Sequence, residues 1–138
     1  MGKKVFENAL IYFVQGDQTR RIKIGKTNNP MEDRLRNLQT GSPDKLSVIG
    51  MTFEPYANEE LMHNDFQDLR VHGEWFEESS RIYEYINGSC FKSIEGLYCV
   101  YFEVLAGHIS FEEARSMSEQ DLYNRALERS IEALDAKT

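Results

Sequence analysis

The sequence predicts an α+β domain followed by a helical C-terminal extension. Three observations carry this: two β-rich runs separated by turn formers, amphipathic helical stretches between further strand-like segments, and a change to a purely helical pattern after Asn87-Gly88. The expected boundary divides residues 1–88 from residues 89–138.

The first run, Leu10 to Gln15, reads Leu-Ile-Tyr-Phe-Val-Gln, and Gly16-Asp17-Gln18-Thr19 supplies turn chemistry after it. Arg20 to Gly25 then alternates polar and apolar residues, as a half-buried strand does. Together they predict a β-hairpin. A turn centred between Asp17 and Gln18 sets Tyr12 directly across from Lys23. A slip of one residue would move the two to opposite faces.

A helix follows. Asn29 is the expected cap, Pro30 suits the first helical position and Glu32 falls at the third. Met31, Leu35 and Leu38 line one face, and Gly41-Ser42-Pro43 ends the helix. Leu46 to Phe53 reads as a third strand. A second helix from about Ala57 to Arg70 buries Met62, Phe66 and Leu69. Gly73-Glu74-Trp75-Phe76 comes next, and Ser79 or Ser80 opens a short helix to Ile86. In the extension, Ile94, Leu97, Tyr98, Tyr101, Phe102 and Leu105 form one buried helical face. Ser110 to Glu113 and Ser118 to Asp121 have the pattern of helix-opening caps.

Composition narrows the function classes. With 41% hydrophobic and 28% charged residues, the 138-residue chain falls among folded globular proteins. No apolar run approaches the roughly 20 residues that span a bilayer, and the N-terminus has no secretory pattern. Cys90 and Cys99 form no CxxC pair, so two reduced thiols in a cytoplasmic protein are expected. A net charge of −7 opposes general nucleic-acid affinity. The charge is uneven, however. Between Asp17 and Lys45 seven basic residues face four acidic ones, whereas from Phe91 onward five basic face nine acidic. A basic patch on an acidic protein is the expectation.

Four parts of the chain carry candidate chemistry: Tyr12 on the first strand, Lys23 on the second, Arg34 on the first helix, and Glu59 with His63 on the second. At about 100° per residue, Arg34 falls on the margin of the Met31-Leu35-Leu38 stripe while Arg36 points away. Glu59 and His63 lie at the edge of the Met62-Phe66 face, and Glu60 is rotated toward solvent. These types meet the demands of phosphodiester hydrolysis. A carboxylate holds a hard divalent cation, Mg²⁺ or Mn²⁺. An arginine contacts phosphate bidentately. A tyrosine whose pKa is lowered by a neighbouring cation such as Lys23 can activate water, and His63 can carry or position a proton. Taken one at a time, the same residues read as a packed strand tyrosine, a solvated lysine and helix-surface pairs.

In this order the blocks resemble the GIY-YIG nuclease superfamily, particularly the branch common in phages and typified by a fungal meiotic protein. Leu10-Ile11-Tyr12 stands at the GIY position and Lys23-Ile24-Gly25 at the YIG position, eleven residues later. Lys26-Thr27, Arg34-Leu35, Leu38-Gln39-Thr40-Gly41-Ser42-Pro43, Glu59-x-x-x-His63-x-x-Phe66 and Gly73-Glu74-Trp75-Phe76 continue the series over residues 8–86. The resemblance implies a three-stranded antiparallel sheet flanked by helices, and a DNA endonuclease using one divalent metal. It implies Tyr12 as general base, Arg34 on phosphate and Glu59 on the metal. Lys26 matches a frequent lysine after the motif glycine, and Arg21 and Arg36 are the further basic candidates for DNA contact. Lys23 replaces the usual second tyrosine, as it does in some members. Trp75 and Phe76 are expected in the core, with Glu74 left open between a structural and a metal-proximal place.

Two alternatives stand beside the nuclease. One is a catalytically inactive nucleic-acid or protein-binding module, favoured by the acidic charge and by Lys23. The other is an unrelated small-molecule enzyme. The helical extension either packs back on the domain or pairs two chains into a homodimer.

Overall fold

The computed structural model describes residues 9–53, 58–110, 113, 117 and 119–135. Strands β1 (Leu10–Gly16), β2 (Ile22–Thr27), β3 (Leu46–Phe53), β4 (Arg70–His72) and β5 (Trp75–Phe76) form one sheet in the order β3-β1-β2-β5-β4. Every neighbouring pair is antiparallel. The α+β class therefore holds, but the expected three-stranded sheet is wrong: the sheet has five strands. The two additions, of three and two residues, are too short to show alternation in sequence. Pairing makes them strands: β5 joins β2 through Ile22 with Phe76 and Lys23 with Trp75, and β4 joins β5 through Arg70 with Phe76 and His72 with Trp75. Gly73 supplies the positive φ of 55° that the tight β4–β5 turn needs.

The hairpin register also differs from expectation. Tyr12 pairs with Gly25, and Lys23 pairs with Val14. The connection is longer than a two-residue turn, and Arg20 adopts a left-handed φ of 63° within it. The Asp44 carboxylate holds the connection by accepting the Gln18 and Thr19 amides at 3.0 and 3.1 Å and the Thr19 hydroxyl at 3.1 Å. The difference is two residues, so Lys23 keeps the same face of the sheet as Tyr12.

Alternation along the strands sorts side chains to two sides. Ile11, Phe13, Ile22, Ile24 and Phe76 pack with Met62 and Phe66 and with Ile82 and Ile86 in one buried cluster. Those last four come from α2 (Glu59–Asp65) with its following residue, and from α3 (Ser80–Ser89). Each fully buried apolar side chain there contributes about 1.5–3 kcal/mol. Tyr12, Val14, Lys23 and Gly25 point to the opposite side, toward α1 (Met31–Thr40).

Local sequence explains the helix ends, with two corrections. Pro30, not Asn29, occupies the cap of α1 and makes no side-chain cap bond. The second helix is shorter than expected, ending at Asp65 and followed by a 3₁₀ turn over Gln67–Leu69. The chain must turn there into β4, and Arg81 donates to the freed carbonyl of Asp65 at 2.8 Å while pairing with Asp68. Asn58 caps α2 through the Leu61 amide, and Ser79 caps α3 through the Arg81 amide.

The chain divides into two units, Met1–Lys92 and Ser93–Thr138. In the first, Phe91 bridges Met51 of β3 and is buried. In the second, α4 (Ile94–Leu105) packs with α5 (Glu119–Asp135), joined by an Arg129–Glu103 ion pair at 2.7 Å. Leu97 is buried in α4, but Phe102 is 61% exposed and so does not belong to the buried face expected of it. The Ser110 hydroxyl accepts the Glu113 amide at 3.1 Å, whereas Ser118 and the side chains of Cys99, Tyr101 and Leu105 lie outside the described residues. Cys90 is half-buried. Among the described residues no helix is long and apolar enough to cross a membrane.

Candidate active site

Tyr12 is fully buried in β1, and its ring lies over the backbone of Gly25. A Cβ at position 25 would collide with the phenol oxygen and ring carbons, so the glycine is required by close approach. From α1, the Arg34 Nε donates to the Tyr12 hydroxyl at 3.1 Å, and the guanidinium lies 5.8 Å from the Tyr12 ring centroid.

Burial pushes the Tyr12 phenol above its ordinary 10.0. The Arg34 hydrogen bond and charge pull it down by less, and the carboxylates of Glu74 and Glu59 push it further up. Lys23 does not lower it as the sequence suggested. Its ammonium instead pairs with Glu74 at 2.9 Å and sits 5.7 Å from the Trp75 ring centroid. Sequence reasoning left Glu74 open; it stands as the charge partner of Lys23 and within electrostatic reach of Tyr12. The β2–β5 pairing brings Glu74 there, a pairing that the Gly73-Glu74-Trp75-Phe76 block does not by itself announce.

Glu59 begins α2, and its side chain is 16% exposed; Glu60 beside it faces solvent. His63, one turn on, has a side chain 12% exposed and lies 3.9 Å from a Glu59 oxygen. That separation exceeds a hydrogen bond. The His63 Nε2 bonds the Ile24 carbonyl at 2.8 Å instead, and since a carbonyl only accepts, Nε2 carries the proton. His63 thus ties α2 to β2 one residue from Gly25, and its ring packs against Phe76 with centroids 5.3 Å apart and planes tilted by 55°.

Beside Arg34 opens a polar cleft of about 430 Å³ lined by Lys26, Thr27, Asn29, Asp33 and Asn37. Lys26 is exposed there, whereas Arg36 points away and pairs with Asp33 at 3.2 Å. Arg21 lies at the far end of β2, in a loose pair with Glu77 at 3.8 Å. Phe76 is in the core as expected, but Trp75 is half-exposed on the Lys23 side. Among the described residues no three His, Cys, Asp or Glu side chains cluster as metal ligands. The donor chemistry on this side is a carboxylate oxygen, which suits a hard cation that keeps most of its water and does not suit a zinc-type cage.

No curated protein and no solved structure matches the chain. Residues 9–90 match the T5orf172 domain, which is found in phage proteins and in GIY-YIG-like and homing-nuclease-associated proteins. That match spans the whole sheet and all the site residues just described, more than half of the 138 residues, and the chain belongs to the T5orf172 domain family.

Proposed function

We propose that this protein is a metal-dependent DNA endonuclease of GIY-YIG type, with Tyr12, Arg34 and Glu59 as its centre. The observation that carries the reading is the 3.1 Å bond from Arg34 Nε to the Tyr12 hydroxyl, with the Glu59 charge in reach of the same phenol and a polar cleft opening beside the arginine. The T5orf172 match supports it as far as a nuclease-like or nucleic-acid-binding module.

In this reading Arg34 keeps its remaining guanidinium donors for a phosphate in the cleft, where it stabilises the charge that grows on the oxygens in the transition state. Glu59 would hold Mg²⁺ or Mn²⁺, which when bound would supply Lewis-acid charge. A cation at Glu59 would offset the least of the three causes that raise the Tyr12 phenol, leaving burial and Glu74 against the pull of Arg34. Tyr12, through its ionised phenolate fraction, would accept the proton of the attacking water as the new P–O bond forms and the P–O bond to the leaving oxygen breaks. Lys23 balances Glu74 at the edge of the site, and Lys26 tracks the DNA backbone. His63 is a positioning residue, holding the helix of Glu59 against β2.

The burial of Tyr12 and its raised pKa favour a second reading, a binding module that keeps the fold without turnover. Nicking of supercoiled plasmid and of branched DNA by the full chain, with Mg²⁺ or Mn²⁺ against chelator, separates the two. Metal-dependent nicking supports the nuclease. Binding without cleavage on any substrate supports the module.

A further inference from the structure

A second cleft, of about 330 Å³, opens near the hairpin turn between Trp75, Pro43, Leu46, Arg21, His72 and Thr19. Its size is within the range of small-molecule sites, and its wall is mainly apolar. We propose that it is a nucleobase subsite, in which a base flanking the scissile phosphate stacks on Trp75. The inference rests on the nucleic-acid reading above and adds to it the part of the substrate that the cleft takes.

Placement supports the assignment. Trp75 is the cross-strand partner of Lys23, so its side chain emerges on the sheet face that carries Tyr12. Neighbouring strands lie about 4.8 Å apart, which puts the β5 side chains on the order of 10 Å from those of β1. That is about three nucleotides of stacked DNA at roughly 3.4 Å each, and fewer of an extended strand. A base in the cleft and a phosphate at Arg34 therefore belong to one short stretch of backbone.

The chemistry also fits. Indole and proline give flat apolar surface for a base of any identity, and the half-buried Arg21 and exposed His72 put cationic and hydrogen-bonding groups at the rim. The Asp44 carboxylate in the wall is engaged by the Gln18 and Thr19 amides, so its acceptors are spent on the turn. Lys23 adds a cation against the indole from the catalytic side. Such a cleft selects substrates with an unstacked base near the cut: single strands, branches or flipped positions.

Trp75 is the one tryptophan of the chain, so tryptophan emission reports on this cleft alone. The full chain in chelator is titrated with a labelled single-stranded oligonucleotide, and with a matched strand made of abasic units. The subsite predicts that both raise the label's anisotropy, while only the base-bearing strand quenches the emission. Trp75→Ala should weaken base-bearing single strands about tenfold, with little effect on the abasic strand. Binding without quenching, or equal quenching by the abasic strand, overturns the subsite even if plasmid is cleaved. Base-dependent quenching in a protein that cuts nothing supports the subsite and overturns only the nuclease. No anisotropy change with any strand overturns both.

Discussion

Tyr12 lies across the backbone of its cross-strand partner Gly25, so closely that a single methyl group at position 25 would meet its phenol oxygen. The glycine of the second strand is therefore a seat for the tyrosine of the first, which places the hydroxyl where Arg34 reaches it. Gly25→Ala must displace the ring. It should cost about 1–3 kcal/mol of stability and lower cleavage more than it lowers DNA affinity. Urea unfolding beside kcat and KM checks this; an unchanged kcat would show that the seat has no catalytic consequence.

The raised pKa of Tyr12 fixes the direction of two pH effects. A base that holds its proton above 10.0 in the protein alone is scarcely ionised near neutrality, so cleavage should rise with pH through the neutral and mildly alkaline range. Arg34→Ala removes the groups that pull the phenol down and should reduce cleavage by about 10²–10³-fold. For stability the sign is the reverse. A folded-state pKa above the unfolded value favours folding below pH 10 and is lost as pH climbs through the folded value. Tyr12→Phe should abolish the rise in cleavage and flatten the alkaline loss of stability. Profiles of kcat/KM and of urea midpoints against pH measure both.

Acid acts through Asp44. The Thr19 amide, with those of Gln18 and Lys45 and the Thr19 hydroxyl, holds its carboxyl below the ordinary 3.8, with burial opposing by less. Its contribution is present above pH 3.8 and is lost as pH falls through the lower folded value. Asp44→Asn should weaken the fold at neutral pH and remove part of its acid sensitivity. Thermal melting of both proteins between neutral pH and about pH 2 checks this; parallel curves would contradict it.

His63 touches the backbone of β2 and no reacting group in the proposed chemistry. His63→Ala should lower metal affinity and kcat roughly 10–100-fold by loosening the helix that carries Glu59. His63→Asn can still donate to the Ile24 carbonyl and should recover part of both. A His63 acting as a proton carrier would instead lose the same activity in either variant and leave metal affinity unchanged, so metal titration separates the two.

What could be read from sequence follows the physics of each element. Helical phase separated Arg34 from Arg36 and Glu59 from Glu60, because one apolar stripe sets which neighbours are half-buried. Leu46–Phe53 was legible because an eight-residue strand carries its own pattern. The hairpin register was not, since a longer connection held by Asp44 and by Arg20 at positive φ leaves no local turn signature. The strands at Arg70–His72 and Trp75–Phe76 exist only by pairing, the second with β2 and the first with the second. That pairing is also what brings Glu74 to Lys23 and Trp75 to the site face, so both remained hidden with it.

The central claim is that Glu59 holds the divalent cation on which cleavage depends. The most direct test measures Mn²⁺ binding by titration calorimetry and plasmid nicking on the same preparations of the full chain and of Glu59→Gln, with DNA binding followed by anisotropy. The account predicts that Glu59→Gln loses Mn²⁺ binding and nicking together while its unfolding transition and DNA affinity stay close to those of the parent. Metal-dependent nicking that survives in Glu59→Gln would contradict it.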